Sequence, residues 1–115
     1  MIKRNIAELD RSDTINRAVA AIIGQLPSGG VSEKSIAREL NLTTRTLHRK
    51  LREQGIGFRS LLTNVRKEMV ERYIRDSAYC ITEISFLLGY TDTSAFSRAF
   101  KRWYGKSPTE FRQSN

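Results

Sequence analysis

Apolar residues recur every three to four positions along most of this chain, the spacing of one helical face. Ile15, Ala18, Val19, Ile22 and Leu26 form the first such stripe. Gly24 and the run Pro27-Ser28-Gly29-Gly30 end it. Phe58, Leu61, Leu62, Val65, Met69 and Tyr73 form another, which predicts one longer helix over residues 58–75. Shorter amphipathic segments lie around it, each preceded by a residue able to cap a helix: Ser32, Thr43, Thr82, and Asp92 or Thr91. Val31 with Ile36, Leu42 with Leu47, and Ile81 with Phe86 stand as hydrophobic staples around the first three caps. Gly89 sits where a helix would end on a left-handed residue. Ser107-Pro108-Thr109-Glu110 reads as a capping box with proline at the first helical position, starting a short closing helix. The expectation is an all-α fold of about seven helices.

The short segments repeat. Ile36, Leu40, Leu42, Leu47, Leu51, Gly55 and Phe58-Arg59 answer to Ile84, Leu88, Tyr90, Phe96, Phe100, Gly105 and Phe111-Arg112. Each copy reads as a short helix, a tight turn and a second amphipathic helix, which is the helix-turn-helix pattern. The expected organisation is a linker or disordered start over 1–12, a first lobe over 13–56, a linker helix over 57–76 and a second lobe over 77–115. A helix over 58–75 would be about 27 Å long at ~1.5 Å per residue. Adjacent major-groove turns on one face of a duplex lie ~34–36 Å apart. That length is compatible with both second helices docking on one side of one duplex.

Charge sharpens this picture. The chain of 115 residues carries a net charge of +8. Thr44–Arg52 holds Arg45, Arg49, Lys50 and Arg52 with no acid, and Thr93–Thr109 holds Arg98, Lys101, Arg102 and Lys106 with no acid. All other residues net to zero, so the excess falls on the second helix of each repeat. A generic solvated surface mixes signs; concentration on two matching helices is the footprint of a phosphate backbone.

From Ile81 through Gly89-Tyr90, Ser94, Phe96, Arg98, Phe100-Lys101, Gly105, Ser107-Pro108 and Phe111-Arg112 the chain closely resembles the signature of the AraC/XylS family of bacterial transcription regulators. The first repeat and the linker helix also fit, so the resemblance covers roughly residues 13–113. It implies an all-α DNA-binding domain with two helix-turn-helix lobes bridged by a helix, asymmetric promoter sites and activation through contact with RNA polymerase. Many members carry a separate sensing or dimerisation domain before this one. The linker-like first dozen residues favour a C-terminal piece of a larger regulator. The isolated domain is expected to be a monomer, and the parent protein a candidate dimer.

The residues expected to meet duplex DNA lie on the outward faces of two recognition helices, 44–54 and 93–104. The first offers Thr44, Arg45, Thr46, His48, Arg49 and Arg52; Leu47 and Leu51 point inward by period. By position against the family motif, Arg45, His48 and Arg49 are the leading candidates for base reading, with two residues of the set expected to read bases: arginine can pair bidentately with guanine, and His48 either donates to a guanine or stands near a phosphate. The others hold phosphate, which takes half to two-thirds of protein–DNA hydrogen bonds. The second helix offers Thr93, Ser94, Ser97, Arg98, Lys101 and Arg102. Arg98 is its one long side chain near the N-terminal turn, expected at a base or a close phosphate, with an intralobe salt bridge as its bland alternative. Trp103, Tyr104, Phe58 and Phe111 are expected to pack rather than stack on bases.

Other chemistry is excluded or weak. One cysteine, Cys80, and one histidine, His48, cannot build a four-ligand zinc site, and no metal or cofactor is expected. A lone cysteine fits a reducing cytosol, and Cys80 is expected to be a partly buried, inert thiol. No paired carboxylates, nucleophile–base pair or phosphate-cradling loop suggests an enzyme. A nonspecific nucleoid-type binder using the same charges, and a module for acidic protein surfaces, remain as alternatives.

Overall fold

The computed structural model describes residues 6–114, with side chains from residue 13 onward. Within that range there are seven α-helices, one short 3-10 turn and no strand. The helices are α1 (Ile6–Gln25), α2 (Glu33–Glu39), α3 (Thr44–Glu53), α4 (Phe58–Tyr73), α5 (Ile81–Leu87), α6 (Thr93–Tyr104) and α7 (Pro108–Ser114). The 3-10 turn, Leu26–Ser28, directly follows α1. Residues 6–12, expected as part of a linker, are helical; residues 1–5 lie outside the described residues.

The helices gather into two units. The first takes in residues up to Gln25 together with Gly30–Val65; the second takes in Leu26–Gly29 and the residues from Arg66 on. The boundary therefore falls inside α4, not at its ends, and the turn after α1 belongs with the second unit.

In the first unit α1 supplies Ala18, Ala21 and Ile22, α2 supplies Ile36 and Ala37, α3 supplies Leu47 and Leu51, and α4 supplies Leu61 and Val65, all buried. In the second unit Leu26 joins Met69 and Val70 of α4, Ile74 just after it, Ile84 and Leu88, and Phe96, Ala99 and Phe100 of α6. Removing each large apolar side chain from water contributes roughly 1.5–3 kcal/mol. Val70 and Ile74, outside the apolar stripe assigned to the linker helix, are fully or almost fully buried. That helix ends at Tyr73, so its 16 residues span about 24 Å rather than 27. Its C-terminal carbonyls are collected by Arg112 of α7: Nε donates to Ile74 at 2.9 Å, and Nη2 reaches Tyr73 and Asp76 at 3.4 and 3.3 Å.

Four local expectations are corrected. The cap of α5 is Cys80, not Thr82: the Glu83 amide donates to Sγ at 3.4 Å, and the Cys80 amide donates to the Glu83 carboxylate at 2.9 Å. Cys80 is accordingly exposed rather than partly buried. With the cap at Cys80 the staple positions no longer fall on Ile81 and Phe86, and Phe86 is 51% exposed. Phe58 and Phe111 are half-exposed, not deep anchors; Phe111 still meets the Phe100 ring edge-on, with centres 5.4 Å apart. Tyr104 joins the same cluster, 4.7 Å from Phe100 and 5.6 Å from Phe111.

Candidate nucleic-acid interface

Each recognition helix is aimed by its local chain. In the first unit Ser32 caps α2, its hydroxyl accepting from the Ser35 amide while the Ser35 hydroxyl accepts from the Ser32 amide. Leu40 closes α2, and Asn41 turns the chain with a φ of 59°. The Leu42 amide donates back to Ala37 at 2.9 Å, so the carbonyls freed at the helix end are satisfied. Thr43 then caps α3, accepting from the Thr46 amide at 3.0 Å. Leu47 and Leu51 anchor α3 in the core.

The second unit repeats this course. Leu88 closes α5, Gly89 turns with a φ of 86°, and the Tyr90 amide donates back to Ser85 at 3.0 Å. Asp92 caps α6, its carboxylate accepting from the Ala95 amide at 2.7 Å. Phe96, Ala99 and Phe100 hold α6 inward, and Gly105 ends it in the left-handed region.

An arginine from the preceding helix reaches each turn. Arg17 of α1 donates to the Leu40 carbonyl at 3.2 Å, and Arg66 of α4 donates to the Leu88 carbonyl at 2.9 Å. Arg66 also lies over the Tyr90 ring, 4.5 Å from its centre. Burial pushes the Tyr90 hydroxyl above its ordinary range, and the charges of Arg66 and Arg102 oppose that shift. Sequence reasoning passed over both arginines, because their partners are carbonyls more than twenty residues away.

The expected contact residues fall on the outward faces. Thr44, Arg45, His48, Arg49 and Arg52 are exposed on α3, and Thr46 is half-exposed, its hydroxyl accepting from Thr43 at 2.9 Å. On α6, Ser94, Arg98, Lys101 and Arg102 are exposed, and Thr93 and Ser97 half-exposed. Two of the α3 side chains are held by acids. His48 Nδ1 lies 3.3 Å from the Glu33 carboxylate of α2, and Arg49 lies 3.2 Å from Glu53 one turn on. Arg98 makes no ion pair among the described residues, so its bland alternative is absent there. Each face is thus polar, cationic and rigidly mounted, suited to a polyanion and to base edges. Among the described residues there is no cluster of metal-ligating side chains, and no helix is long and apolar enough to cross a membrane.

Comparison with known proteins agrees with this architecture. A helix-turn-helix domain family model matches residues 36–114. The urease operon transcriptional activator of Escherichia coli is 32% identical over 108 residues, 94% of this chain and 36% of that protein. The C-terminal domain of AraT, a response regulator from Geobacillus stearothermophilus, is similar with a TM-score of 0.76 and 31% identity, covering 89% of this chain and 85% of that one. The DNA-binding domain of AdpA, a global transcriptional factor solved in complex with a target DNA, shares the fold with a TM-score of 0.72 and 23% identity, over 87% of this chain and 90% of that one. The chain spans only 22% to 36% of the length of the first curated relatives it matches.

Proposed function

The chain belongs to the AraC/XylS family of helix-turn-helix transcription regulators, and from that premise we propose that it is a sequence-specific reader of duplex DNA that activates transcription. In this reading α3 and α6 enter successive major grooves of an asymmetric promoter site. Arg45, His48 and Arg49 read bases. Thr44, Thr46 and Arg52, with Thr93, Ser94, Ser97, Lys101 and Arg102, hold phosphates. Arg98 is the side chain of α6 that reaches a base or a close phosphate.

The observation that carries the reading is the mounting of the charge. All of the excess positive charge lies in two segments, Thr44–Arg52 and Thr93–Thr109, and Arg45, Arg49 and Arg52 of the first and Arg98, Lys101 and Arg102 of the second are exposed in the structure. The relatives named as transcriptional activators support the direction of regulation. RNA polymerase is the partner such activation calls for, and the bacterial cytoplasm the place where it happens.

Selection of bound duplexes from a random library at near-physiological salt tests this. Two enriched blocks about 10–10.5 bp apart are expected, one helical turn between half-sites. Replacing Arg49 by Ala should weaken the selected site far more than random DNA. Equal affinity for all duplexes, with steep salt dependence, would identify a nonspecific binder and end the proposal.

A further inference from the structure

His48 and Glu33 meet between the two helices of the first repeat, with Nδ1 of the imidazole 3.3 Å from Oε2 of the carboxylate. An ionised carboxylate only accepts hydrogen bonds, so the ring nitrogen in this contact carries the proton. A neutral imidazole has one donor and one acceptor nitrogen, which leaves Nε2 as a bare acceptor. Glu33 is well placed to impose this. It is the first residue of α2, next to the Ser32 cap, and its side chain is 28% exposed while that of His48 is 52% exposed. The carboxylate is the less exposed partner, and His48 is exposed on α3, as are Arg45 and Arg52.

We propose that Glu33 is a positioning residue that sets base specificity: by keeping the His48 proton on Nδ1 it makes Nε2 an acceptor, selecting a base with an exocyclic amino group. In the major groove those bases are adenine, through N6, and cytosine, through N4. A proton on Nε2 would turn the choice toward acceptors, O6 and N7 of guanine, O4 of thymine and N7 of adenine, and away from cytosine, which offers only a donor. This inference rests on the reading of His48 as a base reader. Glu33 touches no base itself; it decides which hydrogen-bonding polarity the imidazole presents.

The test measures binding to a randomised site library at pH 8. His48→Ala locates the contacted base pair as the one whose preference disappears. Wild type is expected to favour adenine or cytosine there by about three- to tenfold, the range of one net hydrogen bond. Glu33→Lys offers only donors to Nδ1, so cytosine should lose its preference and guanine or thymine gain one. Glu33→Gln can donate or accept and should flatten it. Thermal melting of each variant separates these effects from lost folding, which cannot invert a preference at a single base pair. If His48→Ala erases a preference that both Glu33 variants leave intact, the positioning role is overturned while His48 stands as a reader. If His48→Ala changes no position at all, the reading of His48 fails and this inference falls with it.

Discussion

The guanidinium of Arg66 donates from Nε to the Leu88 carbonyl oxygen over 2.9 Å, at the point where α5 gives way to the turn before α6. The same side chain covers the Tyr90 ring. It thereby joins the residue before Gly89 to the residue after it, and fixes the angle at which the second recognition helix departs. Arg66→Ala should cost about 1–2 kcal/mol, from a carbonyl left without its partner and a lost cation–π contact. Urea denaturation reads this directly. Arg66→Lys should recover only part, because one ammonium cannot both follow the carbonyl and lie flat on the ring. An unchanged unfolding midpoint in Arg66→Ala would mean that water replaces the bond at no cost.

Gly89 and Asn41 occupy the same place in the two repeats, both with positive φ, yet they should respond oppositely to substitution. A Cβ on Gly89 would stand 2.8 Å from the Leu26 carbonyl oxygen and 3.1 Å from its side chain. Gly89→Ala combines that clash with left-handed strain and should cost more than about 2 kcal/mol. Asn41 is exposed, and its side chain tolerates the left-handed region. Asn41→Gly should change stability by less than about 0.5 kcal/mol, as relief of strain and added unfolded-state entropy offset each other. Parallel thermal melts settle the contrast.

Cys80 is a weak acceptor at a position that oxygen side chains normally fill. Cys80→Ser keeps the geometry and shortens the bond to the Glu83 amide, now 3.4 Å long with sulfur. A gain of about 0.5–1 kcal/mol is expected by denaturant titration. No gain would show that the Glu83 carboxylate, bonded to the Cys80 amide, already does most of the capping.

Acid and alkali should act at different caps and contacts. The Glu83 and Glu110 carboxyls are held below their ordinary range, first by backbone amides of Cys80 and Ser107. A carboxyl depressed in the folded state contributes stability above its unfolded value and loses it as pH falls through the folded one. The stability difference between wild type and a Glu83→Gln, Glu110→Gln double variant should thus be present at neutral pH and fade below the ordinary value of 4.5. Tyr104 behaves the other way. Burial, then its bond to Glu71, push its hydroxyl from 10.0 up to about 12. Its contribution is complete below the unfolded value and is lost as pH rises through the folded one, so an alkaline decline present in wild type should be shallower in Tyr104→Phe.

The elements were legible wherever the determining chemistry is local. Ser32, Thr43, Asp92 and Ser107 cap helices because an oxygen side chain finds an amide three residues on, a pattern visible in sequence. Cys80 was hidden by the same rule, since Thr82 offers the better oxygen two residues later. The inward positions Leu47, Leu51, Phe96 and Phe100 followed from helical period alone. What could not be read are the long-range partners. Arg17, Arg66 and Arg112 each serve a carbonyl on another helix, and Glu33 holds a histidine fifteen residues away. No periodicity marks such pairs, because the donor's position says nothing about which backbone end it will meet. The expected contact residues stood on the outward faces for the simple reason that period assigns them there.

The turn Leu26–Ser28 lies early in the chain, yet Leu26 is fully buried in the second unit and packs on Gly89. The two repeats are consequently not severable at the linker. A fragment beginning within α4 would lack an apolar residue of its own interior and the carbonyl that crowds its glycine turn. Chimeras that exchange the second reading head between relatives should graft residues 26–29 together with the later segment. A clean cut in α4 yields one half with a surplus apolar tail and another with a hole.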